Sequence, residues 1–164
     1  MNEDTSEVGS VRLTPPDGIH PVAFIPDFEL RTAAARAALP ATVPHGDASF
    51  NVARGALLAA VLSGNAQASG GADLHSLLME ATRDRLHQEQ RRAAMEPSLA
   101  LVDWLRGAGF AAVVSGAGPT VLSLESVGAD IRRDAAAAGW RVVPMGVAPQ
   151  GVQITRGSLS KVEF

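Results

Sequence analysis

The feature that most constrains the fold is a turn of small residues between two apolar runs, in residues 113–124. The runs on either side are rich in valine and leucine, as buried strands are. Six small or cyclic residues separate them: Ser115, Gly116, Ala117, Gly118, Pro119 and Thr120. Glycine permits positive φ angles, and proline fixes one φ and removes one donor. The pattern predicts two strands joined by a tight turn, which can also present backbone N–H groups to an anion.

The order of elements around this turn predicts the fold class. A helix beginning near Pro97 and ending at residues 107–109 precedes the turn, and a helix over 130–138 and strands over 140–147 and 152–155 follow it. Upstream, residues 11–13 and 21–26 have strand patterns, and residues 32–39 form a short helix. The alternation of strand pairs with helices predicts an α+β fold, in which helices pack on one face of an antiparallel sheet.

A long helix is expected to start at an Asp47 or Ser49 cap and to end near Leu62. Asp47, Asn51 and Arg54 are spaced i, i+4 and i+7, so they share one face of it. Such a polar stripe is either the solvent-exposed face of an amphipathic helix or part of a binding site. As a site, Arg54 binds a carboxylate or phosphate as a fork, and Asn51 offers hydrogen bonds beside it.

A second polar cluster lies on the next predicted helix, which runs from Leu74 to about Gln88 after a small, polar linker at residues 67–71. Asp84, His87 and Arg91 align on one face if this helix continues. The cluster is either an exposed, charge-paired helix end or a second anion contact made by Arg91. No metal-ligand spacing is present, no Ser-His-Asp arrangement has support, and no catalytic residue is identified.

Composition excludes several classes of function. Fourteen Lys and Arg residues against 17 Asp and Glu residues give a net charge of −3, and seven aromatic residues are spread without a basic stripe. Nucleic-acid binding is therefore not expected. The absence of cysteine excludes disulfides and thiolate metal sites. No signal peptide and no apolar stretch of 18 residues occur, so we expect a cytoplasmic protein without a membrane span.

Taken together, these segments resemble the C-terminal half of homoserine kinases, a family within the GHMP small-molecule kinase superfamily. Residues 22–33 are similar to the family's strand and following helix, and residues 50–58 to its Asn-x-x-Arg helix. Residues 84–91 resemble its Asp-x-x-His-x-x-x-Arg segment, and residues 115–120 its third glycine-rich motif. The resemblance covers about residues 10–156. The glycine motif is shared by the superfamily, whereas the helix and the His/Arg segment indicate homoserine as substrate.

The resemblance implies a reaction and a set of site residues. ATP, with Mg²⁺, would phosphorylate the side-chain hydroxyl of L-homoserine on the way to threonine. Arg54 and Arg91 would bind the amino acid's carboxylate, with Asn51 and His87 beside them. The turn of residues 115–120 would lie near the phosphates and the substrate. Positioning and charge stabilisation suit a phosphoryl transfer.

The resemblance also implies a division of the chain. Residues 1–10 are expected to be a disordered N-terminus, and residues 11–45 the last part of the family's N-terminal domain. Residues 46–156 would be a GHMP kinase C-terminal domain with a ferredoxin-like arrangement, and residues 157–164 a flexible tail. A homodimer or a separate N-terminal half is the expected protein partner.

Two departures from the family pattern affect these expectations. Glu89-Gln90 stands where the family usually has Pro-Tyr, and a carboxylate about 6 Å from a bound anion costs roughly 3 kcal/mol at an effective dielectric constant of about 20. Arg92 is expected to offset this charge. The family's Pro-x-x-x-Gly-Leu-Gly-Ser-Ser phosphate loop is not found in the 164 residues, nor are its Mg²⁺-binding acidic residues. We therefore expect a truncated kinase that is inactive alone.

The same residues are also consistent with two other functions. The chain would also suit a non-catalytic module that binds an amino acid or forms dimers, because one scaffold serves many functions. Within the superfamily, a kinase for another small molecule is the second alternative. The pair Arg54 and Arg91 favours a compact acceptor that carries a carboxylate.

Overall fold

A computed structural model describes residues 13–64 and 71–148 of the chain. The predicted N-terminal disorder, the strand over 152–155 and the tail over 157–164 lie outside these residues, and the strand over 11–13 and the linker over 67–71 lie largely outside them. The structure contains these elements: β1 (Val22–Ile25), α1 (Thr32–Ala37), α2 (His45–Leu62), α3 (Leu74–Ala81), a 3₁₀ helix (Glu89–Ala94), α4 (Glu96–Gly107), β2 (Ala112–Val114), β3 (Val121–Ser123), α5 (Ala129–Ala137) and β4 (Arg141–Pro144).

The four strands form one antiparallel sheet in the order β2-β3-β1-β4. Strands β2 and β3 are the hairpin that the glycine-containing run predicts, with Val113 opposite Leu122. The predicted α+β class is therefore confirmed. The predicted domain boundary between residues 45 and 46 stays a prediction, although β1 from its N-terminal side pairs with β3 and β4 from its C-terminal side.

The main core lies between one face of the sheet and helices α4 and α5. Alternate strand residues, including Val22, Phe24 and Val121, face this side and are almost fully buried. Helix α4 contributes Leu101 and Leu105 to the same cluster. Burying one large aliphatic side chain stabilises a fold by about 1.5–3 kcal/mol, so this layer accounts for much of the stability.

A second layer consists of α2 and α3, which pack on each other beside the edge strand β2. Val61 and Leu78 are buried between the two helices, and Ala111 belongs to the same cluster. A third cluster, around Met95 and Leu99, lies beneath the glycine-containing turn. The position of the helix pair leaves an open cleft along the edge of the sheet.

Several predicted boundaries are corrected. Helix α2 begins at His45, with Pro44 in the capping position, so neither Asp47 nor Ser49 is the cap. Pro44 supplies the carbonyl that accepts from the Asp47 and Ala48 amides, and Asp47 lies in the first turn, where a negative charge favours the helix dipole. Strand β4 is shorter than the run 140–147. None of the helices in the described ranges combines the length and apolar character needed to cross a bilayer.

The largest correction concerns α3, which ends at Ala81 instead of continuing to Gln88. The Thr82 hydroxyl donates to the Leu78 carbonyl, and the chain then turns into an irregular loop. Side-chain hydrogen bonds to the backbone compete with helix continuation at such residues. The alignment of Asp84, His87 and Arg91 on one helix face is therefore wrong, and Arg91 lies on the 3₁₀ helix.

Candidate functional site

A cleft of about 420 Å³ lies between the helix pair α2–α3 and the outer edge of β2. Apolar side chains such as Leu58 and Val113 form part of its wall. Its polar lining comes from three regions: α2, the segment 82–91 and the glycine-containing turn. All four residues predicted to bind substrate are among the lining residues: Asn51, Arg54, His87 and Arg91. The turn contributes Gly116.

The Asp84 carboxylate organises the loop that forms one wall of this cleft. It accepts hydrogen bonds from the backbone N–H groups of His87 at 2.8 Å and Gln88 at 2.6 Å, and from Asn51 Nδ2 at 2.6 Å. Burial raises the pKa of Asp84, but these hydrogen bonds outweigh burial and lower the pKa to about 2. Asp84 is thus a structural anion and is poorly suited to accept a proton during catalysis.

Asn51 connects α2 to the Asp84 loop through both ends of its amide. Its Nδ2 donates to Asp84, and its Oδ1 accepts from the backbone N–H of Arg85 at 2.9 Å. The predicted contact of Asn51 with a substrate stays a prediction. The partners in the structure give this side chain a positioning role at the rim of the cleft.

The His87 side chain is half exposed, and its Nδ1 lies 3.0 Å from Asp84 Oδ1. The Asp84 carboxylate therefore fixes the orientation of the ring, while the backbone N–H of His87 is held by the other carboxylate oxygen. His87 faces the cleft as a side chain held in place by its neighbour.

Arg54 is held by two neighbours on the α2–α3 side of the cleft. Its Nη2 pairs with Glu80 Oε1 at 2.5 Å, and its guanidinium lies 4.5 Å from the centroid of the Phe50 ring. Its Nε is buried and has no hydrogen-bond partner. A buried N–H without a partner is costly, so this donor is an unsatisfied group in the wall of the cleft.

Arg91 projects from the 3₁₀ helix toward the glycine-containing turn. Its Nε donates to the Ala35 carbonyl and its Nη1 to the Gly116 carbonyl, both at 3.2 Å. Within the described ranges, no carboxylate forms an ion pair with Arg91. The guanidinium is thus oriented by backbone carbonyls and keeps its charge for a ligand. Arg91 contacts the turn, whereas Arg54 lies against Glu80 on the other side of the cleft.

The glycine-containing turn has the conformation that its sequence predicts. Gly116 and Gly118 have φ angles of +60° and +86°, and the Ser115 N–H donates to the Thr120 carbonyl at 2.8 Å. A Cβ on Gly118 would lie 2.7 Å from the Met95 sulfur, so a larger residue would have to displace the Met95 side chain and adopt a positive φ angle. In the part of the chain that the structure describes, the N–H groups of Gly116 and Ala117 have no acceptor. These donors are compatible with the predicted anion contact.

The Glu89-Gln90 pair has local partners. Glu89 accepts two hydrogen bonds of 2.8 Å from Arg92, which also pairs with Asp103. The hydrogen bonds from Arg92 lower the pKa of Glu89. Gln90 donates to the Arg85 carbonyl at 2.8 Å. The expected compensation of Glu89 by Arg92 is therefore present.

Three residues of this region were not identified from the sequence as site residues. Glu80 pairs with Arg54, Gln88 accepts from the Val114 N–H at 2.7 Å, and Arg106 approaches the loop from α4. Gln88 lies within the segment 84–91 that carries the family resemblance, so its position in the sequence could have identified it as a residue of the site. Nothing in the spacing of Glu80 or Arg106 distinguishes them from solvent-facing helix residues.

The described residues offer no group of three or more His, Asp or Glu side chains placed to hold a metal ion. The donor set of the cleft, two guanidinium groups with amide N–H groups, is suited to anions. Guanidinium and amide N–H groups are the donors that bind carboxylates and phosphates.

The chain belongs to the family of GHMP kinases C-terminal domains, whose family model matches residues 57–139, half of the chain. This match includes α3, the Asp84 loop and the glycine-containing turn. The resemblance to this superfamily is thereby confirmed.

Individual relatives narrow the comparison. The chain is 42% identical over 146 residues to a homoserine kinase of Streptomyces coelicolor, covering 88% of this chain and 44% of that protein. It is 44% identical over 147 residues to a homoserine kinase of Corynebacterium kroppenstedtii, covering 86% and 44% of the two chains. The chain thus spans less than half the length of the curated relatives it matches.

A solved structure supports the fold. The crystal structure of a homoserine kinase from Cytophaga hutchinsonii matches with a TM-score of 0.62 and 19% identity, over 82% of this chain and 43% of that one. At this identity the comparison shows a shared fold only.

Proposed function

We propose that this chain supplies the acceptor-binding part of a homoserine kinase, which transfers the γ-phosphoryl group of ATP to the side-chain hydroxyl of L-homoserine. The observation that carries the proposal is the presence of Arg54 and Arg91 in one cleft. Each has a guanidinium held in place by neighbours, and Arg91 has no carboxylate partner in the described ranges. The names of the relatives supply the substrate.

In the proposed reaction, the homoserine hydroxyl oxygen bonds to the γ-phosphorus while the bond from this phosphorus to the bridging oxygen of ADP breaks, and the hydroxyl proton passes to a phosphate oxygen or to water. Arg91 and Arg54 would bind the homoserine carboxylate, and the N–H groups of Gly116 and Ala117 would contact an anionic oxygen. The protein's contribution is orientation and charge stabilisation, as phosphoryl transfer requires. No step is assigned through Mg²⁺, because the described residues offer no ligand set for it.

The test is a calorimetric titration of the chain with L-homoserine and with 3-aminopropan-1-ol, which lacks the carboxylate. We expect L-homoserine to bind and 3-aminopropan-1-ol to bind at least about tenfold more weakly, because a charge-assisted hydrogen bond contributes about 1.5–3 kcal/mol. The Arg91→Met variant should lose this preference, and Arg91→Lys should keep part of it. The control is Arg133→Met, whose side chain on α5 is 68% exposed.

A coupled assay of ATP turnover with L-homoserine accompanies the titration. We expect binding without robust turnover by this chain alone, because its sequence lacks the family's phosphate loop. Equal affinity for the two ligands contradicts the carboxylate assignment. Binding of an amino acid together with failure to phosphorylate it, even after a relative's N-terminal half is added, favours a non-catalytic module instead.

A further inference from the structure

Arg106, in the last turn of α4, connects the two walls of the cleft without lining it. Its Nη2 donates to the Met79 carbonyl at 2.8 Å, and its Nη1 donates to Thr82 Oγ1 at 2.8 Å and to the Ala112 carbonyl at 3.3 Å. In the described ranges, no carboxylate pairs with it. Burial lowers the pKa of Arg106, as expected for a cation that is bound by neutral acceptors.

The two backbone carbonyls that accept from Arg106 are left without a partner by the hydrogen bonds of the helix and the sheet. Met79 is in the last turn of α3, where backbone carbonyls have no helical partner and a cation is favoured. Ala112 lies on β2, the strand at the edge of the sheet, and its carbonyl points away from β3. The hydrogen bonds from the Arg106 guanidinium therefore connect the C-terminal end of α3 to the edge strand β2.

The residues that follow these two contact points in the chain line the cleft. Beyond Thr82 the chain passes into the Asp84 loop, and beyond Ala112 it passes through Val113 and Val114 to the glycine-containing turn. Gln88 makes the next connection between the same walls, through its bond to the Val114 N–H. The separation of the walls decides whether Arg54 and Arg91 reach one small ligand.

We propose that Arg106 is a positioning residue that sets the separation of the two cleft walls and, through it, the affinity for the acceptor. The inference rests on the proposed function for the identity of the acceptor. The geometric part of the inference is independent of the proposed function, because the hydrogen bonds from Arg106 hold the walls whatever ligand binds.

The test compares Arg106→Met and Arg106→Lys with the wild-type chain. By titration with L-homoserine, Arg106→Met should bind about tenfold or more weakly, since small misplacements of binding groups are costly, and Arg106→Lys should regain part of the affinity. The matched control is Leu105→Ala on the same helix. Leu105 is fully buried in the main core, and its side chain makes no hydrogen bond between the walls, so its loss should lower the melting temperature while the hydrogen bonds from Arg106 remain.

Amide hydrogen exchange provides a readout that needs no ligand. In Arg106→Met, the amides of His87, Gln88 and Val114 should exchange faster, while those of the β1–β4 ladder should not change. In Leu105→Ala, exchange should instead become faster in the β1–β4 ladder alone, or faster by a similar factor at all of these amides. If L-homoserine binds neither protein but exchange changes as described, the proposed function fails and the positioning role stands. Unchanged exchange at these three amides, or equal loss of affinity in Leu105→Ala and Arg106→Met, overturns the inference.

Discussion

Within single residues, the charge on the Asp84 carboxylate is what keeps the loop between α3 and the 3₁₀ helix in place. This one carboxylate accepts hydrogen bonds from the backbone N–H groups of Leu86, His87 and Gln88 and from the Asn51 amide, and it also contacts the His87 ring. An ionised carboxylate accepts such bonds more strongly than a neutral group does. The conformation of one wall of the cleft therefore depends on the ionisation of a single side chain.

The stability of the fold should consequently depend on pH at the acidic end. The pKa of Asp84 falls from 3.8 to about 2 on folding, so its contribution is present above about pH 4 and is lost as the pH falls through 2. The contribution is about 2 kcal/mol. Urea unfolding at pH 7 should show this loss in Asp84→Asn, together with a weaker pH dependence below pH 4. Asp27→Asn, at an exposed position outside the helices and strands, should match the wild-type chain, and a wild-type-like Asp84→Asn would refute the account.

Between elements, the glycine-containing turn is shaped both by its backbone and by the residue beneath it. Gly116 and Gly118 share positive φ angles, but only Gly118 lies against Met95. The Ser98 hydroxyl donates to the Pro119 carbonyl at 2.6 Å and attaches the turn to α4. The turn is thus held to the helix that also forms the core.

The two glycines provide a matched pair of substitutions. Gly116→Ala should cost about 1 kcal/mol, because an added Cβ meets no atom within 4 Å and only the backbone conformation is disfavoured. Gly118→Ala should cost about 1–3 kcal/mol more, since its Cβ would overlap the Met95 side chain. Chemical denaturation measures both. Equal losses of stability would show that Met95 yields without cost.

The elements that the sequence predicts well are those with strong local signals. The apolar spacing of Leu74, Leu77 and Leu78 and the glycine stops after α4 and α5 locate helices, and the paired apolar runs locate the β2–β3 hairpin. The end of α3 was missed because Thr82 and Asp84 form side-chain bonds to the backbone that compete with the helix. Contacts of Arg106 and Glu80 depend on tertiary packing, which periodicity does not encode.

In the molecule as a whole, the cleft lies where the helix pair α2–α3 meets the sheet edge, and residues distant in sequence converge there. Arg54 and Arg91 were predicted from separate motifs, and their presence in one cleft was an expectation of the family resemblance. Spacing alone suggested a helix face for Asp84, His87 and Arg91. The structure instead brings them together through a loop.

Exposed apolar residues predict self-association. Val52 on α2 is 73% exposed, and Trp104, Met145 and Val147 are each at least 40% exposed. An exposed apolar side chain that a second copy of the chain covers is removed from water, which favours association. The 17.0 kDa chain should elute earlier from a sizing column as its concentration rises. Val52→Lys should reduce the shift, with Ala136→Lys, at an exposed position that carries no large apolar side chain, as the control. A monomer at every concentration would contradict the prediction.

The central claim is that Arg54 and Arg91 bind the same carboxylate, and a double-mutant cycle tests it most directly. The affinities of L-homoserine and 3-aminopropan-1-ol are measured for the wild type, Arg54→Met, Arg91→Met and the double variant. Each single variant should weaken L-homoserine binding about 10- to 100-fold, the double variant should lose less than the sum of the two free energies, and 3-aminopropan-1-ol binding should barely change. Additive losses, or equal losses for both ligands, would contradict the claim.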